Sequence, residues 1–117
     1  MRVCFHRAKL AADTTLAMKR LRAFAKTFPA SRPHVQRIEG WHAWQRGLRD
    51  KARQHWTNAI AEADRFDKVF EKGLAHFDMG RFDANGSGHL QQAREIFDRL
   101  GFEYHQRRAR ALMQANG

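Results

Sequence analysis

A chain of 117 residues is long enough for one domain, and its 43% hydrophobic content is too high for a disordered tail. Its one cysteine excludes an internal disulfide, and no apolar run approaches the roughly 20 residues that span a bilayer. The N-terminus lacks the apolar core of a secretion signal, so a cytoplasmic protein is expected.

The net charge of +10 lies entirely in the first half of the chain. Residues 1–58 hold thirteen Lys and Arg against three acidic residues, whereas residues 59–117 hold nine of each. Such a basic half can attract phosphate backbones or acidic protein surfaces, or it can be a solvated face. The candidate nucleic-acid contacts are Arg20, Arg22, Lys26, Arg32, Arg46, Arg49, Lys51 and Arg53. No recognition-helix motif accompanies them.

The first predicted helix follows residues 1–12, a segment with no strong pattern of its own. Asp13, Thr14 and Thr15 are candidate N-cap residues, because short polar side chains accept hydrogen bonds from the first helical amides. Apolar residues then recur near helical spacing at Leu16, Leu21, Phe24 and Phe28. The helix is expected to end at Phe28-Pro29, because proline pushes the preceding residue out of the α region.

A pair of helices is predicted next. Ser31 is the expected N-cap of the first, which has Pro33 in its first turn and runs to about Arg46. Gly47 is the expected stop, and the second helix then covers residues 48–63. The predicted inward residues of this second helix are Leu48, Ala52, Trp56, Ala59 and Ile60.

A further pair follows, with an inserted loop at about residues 79–87 between its helices. Its apolar residues are Phe66, Val69, Phe70, Leu74 and Phe77 on the first helix, and Leu90, Ala93, Ile96, Phe97 and Leu100 on the second. Ser87 is the expected cap of the second helix, Gly101 its stop, and residues 104–113 form a final helix. No stretch alternates with period two, so the sequence predicts an all-α chain of about five or six helices.

Small and bulky residues repeat at fixed offsets. With Gly40 as the eighth residue of a 34-residue unit, Ala52, Trp56 and Ala59 take positions twenty, twenty-four and twenty-seven. Gly73 is again eighth, and Ala93, Phe97 and Leu100 repeat the later positions after an insertion. This spacing resembles the tetratricopeptide repeat (TPR), although Ala43 and Asp64 replace its usual Tyr and Pro. The resemblance implies that residues 13–115 form a short α-solenoid of stacked antiparallel helix pairs.

A narrower resemblance covers about 90 residues. The runs GWHAWQRG, ARQHWTNAIAEADRF, GLAHFDMGR and GHLQQAREIFDRLG are similar to the C-terminal helical repeats of large bacterial signalling proteins. Those proteins join an adenylate/guanylate cyclase or a kinase to an ATPase, and the resemblance implies a sensing or scaffolding role for the repeats. The chain has no GxxxxGK[ST] or GxGxxG motif, so no catalytic residue is expected. A terminal fragment or a short relative of such a protein is therefore expected.

Two patterns are similar to metal sites and are set aside. Asp83 to Leu90 fits the opening of a calcium loop, but the twelfth position holds Arg94 instead of the bidentate glutamate. The seven histidines form no pair at the i, i+4 spacing of a helical zinc site. Neither a metal nor another cofactor is expected.

The first helix of each unit lines the concave groove of such a solenoid, so its aromatic residues are candidate partner contacts. Trp56, on a second helix, is expected in the core. Trp41 and Trp44 are expected in the groove, and the alternative is that they cover the preceding unit. The candidate groove residues are His34, Arg37, Trp41, Trp44, Gln45, Asp67, Phe70, Leu74, Phe77 and Asp78.

These observations lead to two hypotheses. The first is a non-catalytic protein-interaction module, a scaffold or sensor that binds a protein or peptide partner or adjacent signalling domains. The second is a basic helical domain that binds nucleic acid through the arginine-rich first half. Dimerisation is a further expectation, because a short solenoid leaves an open end that needs a cap.

Overall fold

The computed structural model describes the backbone of residues 2–82 and 87–116 and the side chains of residues 15–82 and 88–115. Within these ranges the chain forms six α-helices and one 3-10 helix, with no strand. The helices are α1 (Arg2–Thr27), a 3-10 turn (Pro29–Ser31), α2 (Arg32–Gln45), α3 (Arg49–Arg65), α4 (Val69–Phe82), α5 (Ser87–Leu100) and α6 (Glu103–Asn116). The all-α prediction is confirmed. No helix in the described part is long and apolar enough to cross a membrane.

The first helix is longer than the sequence indicates. It begins at Arg2, so Asp13, Thr14 and Thr15 lie inside it and the prediction that they form its N-cap is wrong. The rest of α1 is rich in Ala, Leu, Arg and Lys, and each Asp or Thr costs such a helix only a few tenths of a kcal/mol, roughly 0.7 at most. Its end is as predicted: Phe28 is extended (φ −124°, ψ 81°) before Pro29.

The start of α2 differs in detail from the prediction. Pro33 lies in its first turn as expected, and Ser31 occupies the N-cap position. The Ser31 hydroxyl, however, donates a hydrogen bond to the Phe28 carbonyl at 2.6 Å and makes no cap bond to an α2 amide. Ser31 therefore closes the 3-10 turn before the helix, and its predicted capping role is wrong.

Three helices end in the same way. Gly47, Asp67 and Gly101 have φ angles of +78°, +55° and +76° after α2, α3 and α5. In each case the next amide reaches back to a carbonyl five residues earlier: Leu48 to Ala43 (2.9 Å), Lys68 to Ala63 (2.8 Å) and Phe102 to Phe97 (2.9 Å). This is the Schellman arrangement, in which one residue adopts the αL conformation. Glycine is favoured at that position because it has no Cβ that would clash. The predicted stops at Gly47 and Gly101 are confirmed.

The helices pack as adjacent pairs, α2 with α3 and α4 with α5, and α6 packs against α5. The predicted close approach of small and bulky residues is present in both pairs. A Cβ at Gly40 would lie 2.2 Å from Trp56 Nε1, and a Cβ at Gly73 would lie 2.8 Å from Phe97 Cε1. Both bulky side chains are fully buried. Because the eighth position of each unit has no side chain, the bulky ring from the second helix can pack directly against the backbone of the first.

Two hydrophobic clusters stabilise the array. The first lies between α2, α3 and α4 around Trp56, and the second lies between α4, α5 and α6 around Phe97 and Leu90. Leu48, which was predicted to face inward, is 43% exposed, and two other apolar residues of the predicted pattern, Val69 (40%) and Leu100 (39%), are exposed as well. Each stands at or beside a helix end, where the neighbouring helix no longer covers it.

The insertion between α4 and α5 is shorter than the predicted loop at 79–87. Helix α4 continues to Phe82, with Met79 and Gly80 buried, and α5 begins at Ser87. Residues 83–86, which carry most of the calcium-like pattern, lie outside the described residues, as does the Ser87 side chain. Farther along that pattern, Ala93 is fully buried in α5 next to Arg94.

Candidate interaction groove

Helices α2 and α4 are joined by a buried ion pair. Arg37 Nε donates a hydrogen bond to Asp78 Oδ2 at 2.8 Å, and the two side chains are only 10% and 3% exposed. Arg37 Nη1 also lies 3.4 Å from Glu71 Oε2. Burial raises the pKa of Asp78, and the Arg37 charge and hydrogen bond oppose that rise. Because either charge alone would be left in a dry environment, the pair fixes how α2 and α4 lie against each other.

Trp41 lies directly beside this ion pair and is half-buried. The Arg37 guanidinium carbon is 5.0 Å from the centroid of its ring, and that of Arg81 is 5.9 Å away. The indole N–H is buried near the Asp78 carboxylate, where it favours the negative charge without reaching hydrogen-bond geometry. Trp41 is thus held by cations on its faces while part of the ring faces solvent.

Arginine–aromatic contacts continue from Trp41 across α4 to α6. Arg81 lies 4.3 Å from the Phe82 ring centroid and 5.6 Å from that of Phe77. Arg108 on α6 lies 5.0 Å from the Phe77 centroid and 5.9 Å from that of Tyr104. Tyr104 is the most exposed of these rings, at 63%. We call this surface the arginine–aromatic groove; it consists of Arg37, Trp41, Phe77, Arg81, Tyr104 and Arg108.

Four of the ten predicted groove residues lie in or beneath this surface: Arg37, Trp41, Phe77 and Asp78. Phe77 (5% exposed) and Asp78 (2%) form its floor and are not directly accessible. His34 is exposed beside it, with Nδ1 3.9 Å from Glu71 Oε2, and Gln45 is exposed at the end of α2. Asp67 is exposed as well, but its positive φ makes it part of the turn after α3.

Three predicted groove residues, Trp44, Phe70 and Leu74, are half-buried and pack against the two hydrophobic clusters. Trp44 packs against Trp56 (centroids 5.9 Å apart) and Phe82 (5.5 Å). Phe70 lies 4.9 Å from Phe102 and 6.1 Å from Phe97. These three residues lie outside the arginine–aromatic groove as defined above, and their role as partner contacts stays a prediction.

The core role of Trp56 is confirmed. It is fully buried, its indole N–H donates to the Arg37 carbonyl at 3.1 Å, and its ring stacks on Phe82 at 5.6 Å. Among the described residues, the aromatic and cationic contacts of the Trp41 and Trp44 rings are with α2, α3 and α4. The alternative, that these two residues cover the preceding helices, stays a prediction.

Three groove residues were not predicted from the sequence: Arg81, Tyr104 and Arg108. Arg81 fell in the predicted loop, and α6 was treated as a terminal helix without a role. The available signal is spacing: Arg81 follows Asp78 by three residues, and Arg108 follows Tyr104 by four, so each pair shares a helix face.

The predicted basic residues do not form one continuous strip. Arg22 pairs with Glu39, Arg53 with Asp50 at 2.7 Å, and Arg32 lies 3.9 Å from Glu62. Arg49 lies over the Trp44 ring at 5.1 Å, while Arg20 and Lys26 are exposed on α1. Arg46 and Lys51 line one cavity with Arg22. Much of the basic charge is therefore already paired or divided between surfaces.

Two histidines contact each other between α4 and α5. His76 Nδ1 lies 3.0 Å from His89 Nδ1, with the rings stacked 5.2 Å apart. Burial, with the positive charge that His89 would carry, lowers the pKa of His76 to about 4. The described residues contain no group of three or more His, Cys, Asp or Glu that could hold a metal ion. The pair is a structural contact that favours the neutral form of His76.

Comparison with known proteins adds no family to these observations. No protein-family model, no curated protein and no solved structure matches the chain significantly.

Proposed function

We propose that the chain is a protein-interaction module of the TPR type, which binds a segment of another protein in the arginine–aromatic groove. The observation that supports this most directly is the half-buried Trp41 beside the exposed Arg81 and Tyr104, above a floor of buried charge and rings. Tryptophan, tyrosine and arginine are the residues that contribute most to protein interfaces. A scaffold or sensor role, without catalysis, follows from this proposal.

The chemistry of the groove indicates the kind of segment that fits. Arg37 is paired with Asp78 and Glu71, and Arg81 lies 4.0 Å from Asp78. With Arg108, three guanidinium groups are present against two carboxylates, so the surface keeps one net positive charge. Guanidinium groups lying on rings present N–H donors at their edges and flat apolar faces. We propose that the partner segment carries aspartate or glutamate together with an aromatic or aliphatic side chain.

The outer face of α1 supports a further part of the proposal. Leu16 and Phe24 on this helix, and Phe28 just after its end, are 48–56% exposed. In a helical-repeat array such a face is covered by the next helix. Repeats of a larger bacterial signalling protein, of which this chain would be a fragment or short relative, are one such cover, and a second copy of the chain is another.

Nucleic-acid binding is the competing function, and one experiment with two arms separates them. In the first arm, a random peptide library displayed on phage is selected against the whole chain. In the second, random-sequence duplex DNA is titrated by fluorescence anisotropy at about 50 and 200 mM salt, a range over which phosphate contacts lose orders of magnitude in affinity. The proposal predicts that acidic, aromatic-containing peptides are selected and that the DNA arm shows no binding.

Two substitutions on one helix give the matched control. Arg108→Ala removes a groove cation, and Arg110→Ala removes an exposed arginine of the same helix that makes no groove contact. Selected peptides should bind the first variant about tenfold more weakly, since a hydrogen bond to a charged group contributes about 1.5–3 kcal/mol. They should bind the second variant like the native chain. Equal losses, or steeply salt-dependent DNA binding with no selected peptide, contradict the proposal.

A further inference from the structure

A second polar site lies on the other side of α2 from the groove. A cavity of about 170 Å³ opens between α1, α2 and the start of α3. Its polar lining consists of Thr15 and Arg22 from α1, Glu39 and His42 from α2, Arg46 just after α2, and Lys51 and His55 from α3. The groove residues of α2, Arg37 and Trp41, are not part of it. The proposed protein-binding function does not use this cavity.

The cavity carries an excess of positive charge. Glu39 is 8% exposed and is paired with Arg22. Arg46 and Lys51 make no ion pair with any carboxylate in the described part of the chain. Three cations against one carboxylate leave a local charge of +2 when the histidines are neutral. A concave site of one sign holds a counter-ion more strongly than a flat surface does.

Both histidines respond to these cations. Burial lowers the pKa of His42, and Arg46 and Arg22 lower it further against the opposing effect of Glu39. Burial likewise lowers the pKa of His55, where Glu39 opposes the shift and Lys51 and Arg22 add to it. His42 therefore lies in the positive potential of the cavity, whereas Glu39 is the strongest single charge acting on His55.

The hydrogen bond of His55 fixes the tautomer of its neutral ring. Its Nδ1 lies 2.8 Å from Gln36 Oε1, an acceptor, so Nδ1–H is the donor and Nε2 is unprotonated in the neutral ring. Protonation would add a donor at Nε2. A negative charge in the cavity would favour that protonated form, as it would for His42.

We propose that this cavity binds a phosphate group, held by Arg22, Arg46 and Lys51. A phosphate dianion neutralises the excess of +2, and guanidinium and ammonium groups are its usual ligands in proteins. The size of the cavity suits a single phosphate group with the remainder of a small molecule outside. The site is independent of the arginine–aromatic groove, so either proposal can fail without the other.

The test is a titration with inorganic phosphate at constant ionic strength, with chloride as the balancing anion. In a second arm, the chain is titrated with O-phosphoserine. Comparison of its affinity with that of inorganic phosphate shows whether the site prefers a phosphate monoester or the free ion. Calorimetry gives the affinity, and the ring C–H signals of His42 and His55 in proton NMR report the site. We expect saturable binding in at least one arm, with both histidine signals moving.

Exposed residues provide the variants, so folding is not at risk. Arg46→Ala combined with Lys51→Ala should weaken phosphate binding at least about tenfold, because two charge-assisted hydrogen bonds are removed. Lys19→Ala, which removes an exposed lysine of α1 outside the cavity, should leave the affinity unchanged. An equal loss in both variants, or histidine shifts that chloride reproduces, overturns the proposal.

Sulfate gives an independent test of the histidines, because its own charge stays constant. Its affinity should rise as the pH falls below the ordinary histidine pKa of 6.5, because a bound anion opposes the lowering of the pKa of His42 and His55 and favours their protonated forms. The other charged groups that line the cavity are Arg22, Glu39, Arg46 and Lys51. Sulfate affinity that does not change with pH contradicts the assignment of the histidines to the site.

Discussion

Replacement of Gly40 by alanine tests the packing of the first helix pair. An added Cβ would lie 2.2 Å from Trp56 Nε1 and 2.5 Å from its Cδ1. Ordinary contact begins at 3.4 Å, so the ring would have to move by about 1 Å. Trp56 is fully buried, hydrogen-bonded to the Arg37 carbonyl and stacked on Phe82, and has no free direction in which to move.

Two opposing effects set the size of the change. Overpacking a well-packed core costs about 1–3 kcal/mol, occasionally more, and this contact is at the severe end. Alanine in place of glycine in a helix regains about 1 kcal/mol. We expect Gly40→Ala to lower the free energy of unfolding by about 2 kcal/mol, which corresponds to a melting temperature lower by roughly 8 °C in a chain of this size.

Thermal and urea unfolding followed by circular dichroism measure this change. Gly88→Ala is the matched control, because a Cβ at that helical position meets no atom within 4 Å, and it should be neutral or stabilising. In a double-mutant cycle with Trp56→Phe, the two substitutions should couple favourably by about 0.5–3 kcal/mol, because the smaller ring relieves the clash. A Gly40→Ala chain as stable as the native one would refute the proposed packing.

Three further predictions concern stability. Ala52→Leu fills the fully buried contact between α2 and α3 and should cost about 1–3 kcal/mol; an unchanged melting temperature would show that the repeat register is wrong. Asp67→Gly should stabilise by about 0.5–1 kcal/mol in urea unfolding, since it removes the strain at φ +55°; a loss of stability would contradict this account of the turn. The third prediction concerns His76, whose pKa is lowered by burial from its ordinary value of 6.5 to about 4 in the folded chain. Because the unfolded chain binds more protons between these values, stability should fall as the pH drops from 6.5 to 4, and His76→Gln should flatten that dependence if the buried ring causes it.

The spacing of small and bulky residues was sufficient to predict the helix pairs. Gly40 with Trp56 and Gly73 with Phe97 are local consequences of two antiparallel helices in close contact, so their offsets could be read directly from the sequence. The stops at Gly47 and Gly101 were predictable for the same kind of reason, because an αL residue favours glycine. Asp67 takes the same role without that signal.

The candidate groove was only partly predictable, because its composition depends on where α4 ends and where α6 packs. A loop beginning at Met79 leaves out Phe82, whose ring covers both Trp44 and Trp56. The predicted loop also includes Arg81, so the sequence does not predict the helix face on which Arg81 lies. Similarly, the sequence predicts Phe70 as a groove residue because it does not show that α6 places His105 5.3 Å from the Phe70 ring.

The Arg37–Asp78 pair shows a further limit of sequence reasoning. Both residues were predicted on the groove side of their helices. Their burial, however, depends on the distance between α2 and α4, and the two residues are forty-one positions apart in the chain. Spacing within a helix gives the face on which a residue lies. The depth of that residue is set by the neighbouring helix.

The most direct test of the central proposal is the behaviour of the tryptophan indole N–H signals in a ¹⁵N-labelled sample titrated with a selected acidic peptide. The chain has three tryptophans, so three such signals report the groove and the core separately. The proposal predicts a saturable shift of the Trp41 signal with little change at the buried Trp56. A Trp41 signal that stays constant while the peptide binds would contradict the assignment of the arginine–aromatic groove as the binding surface.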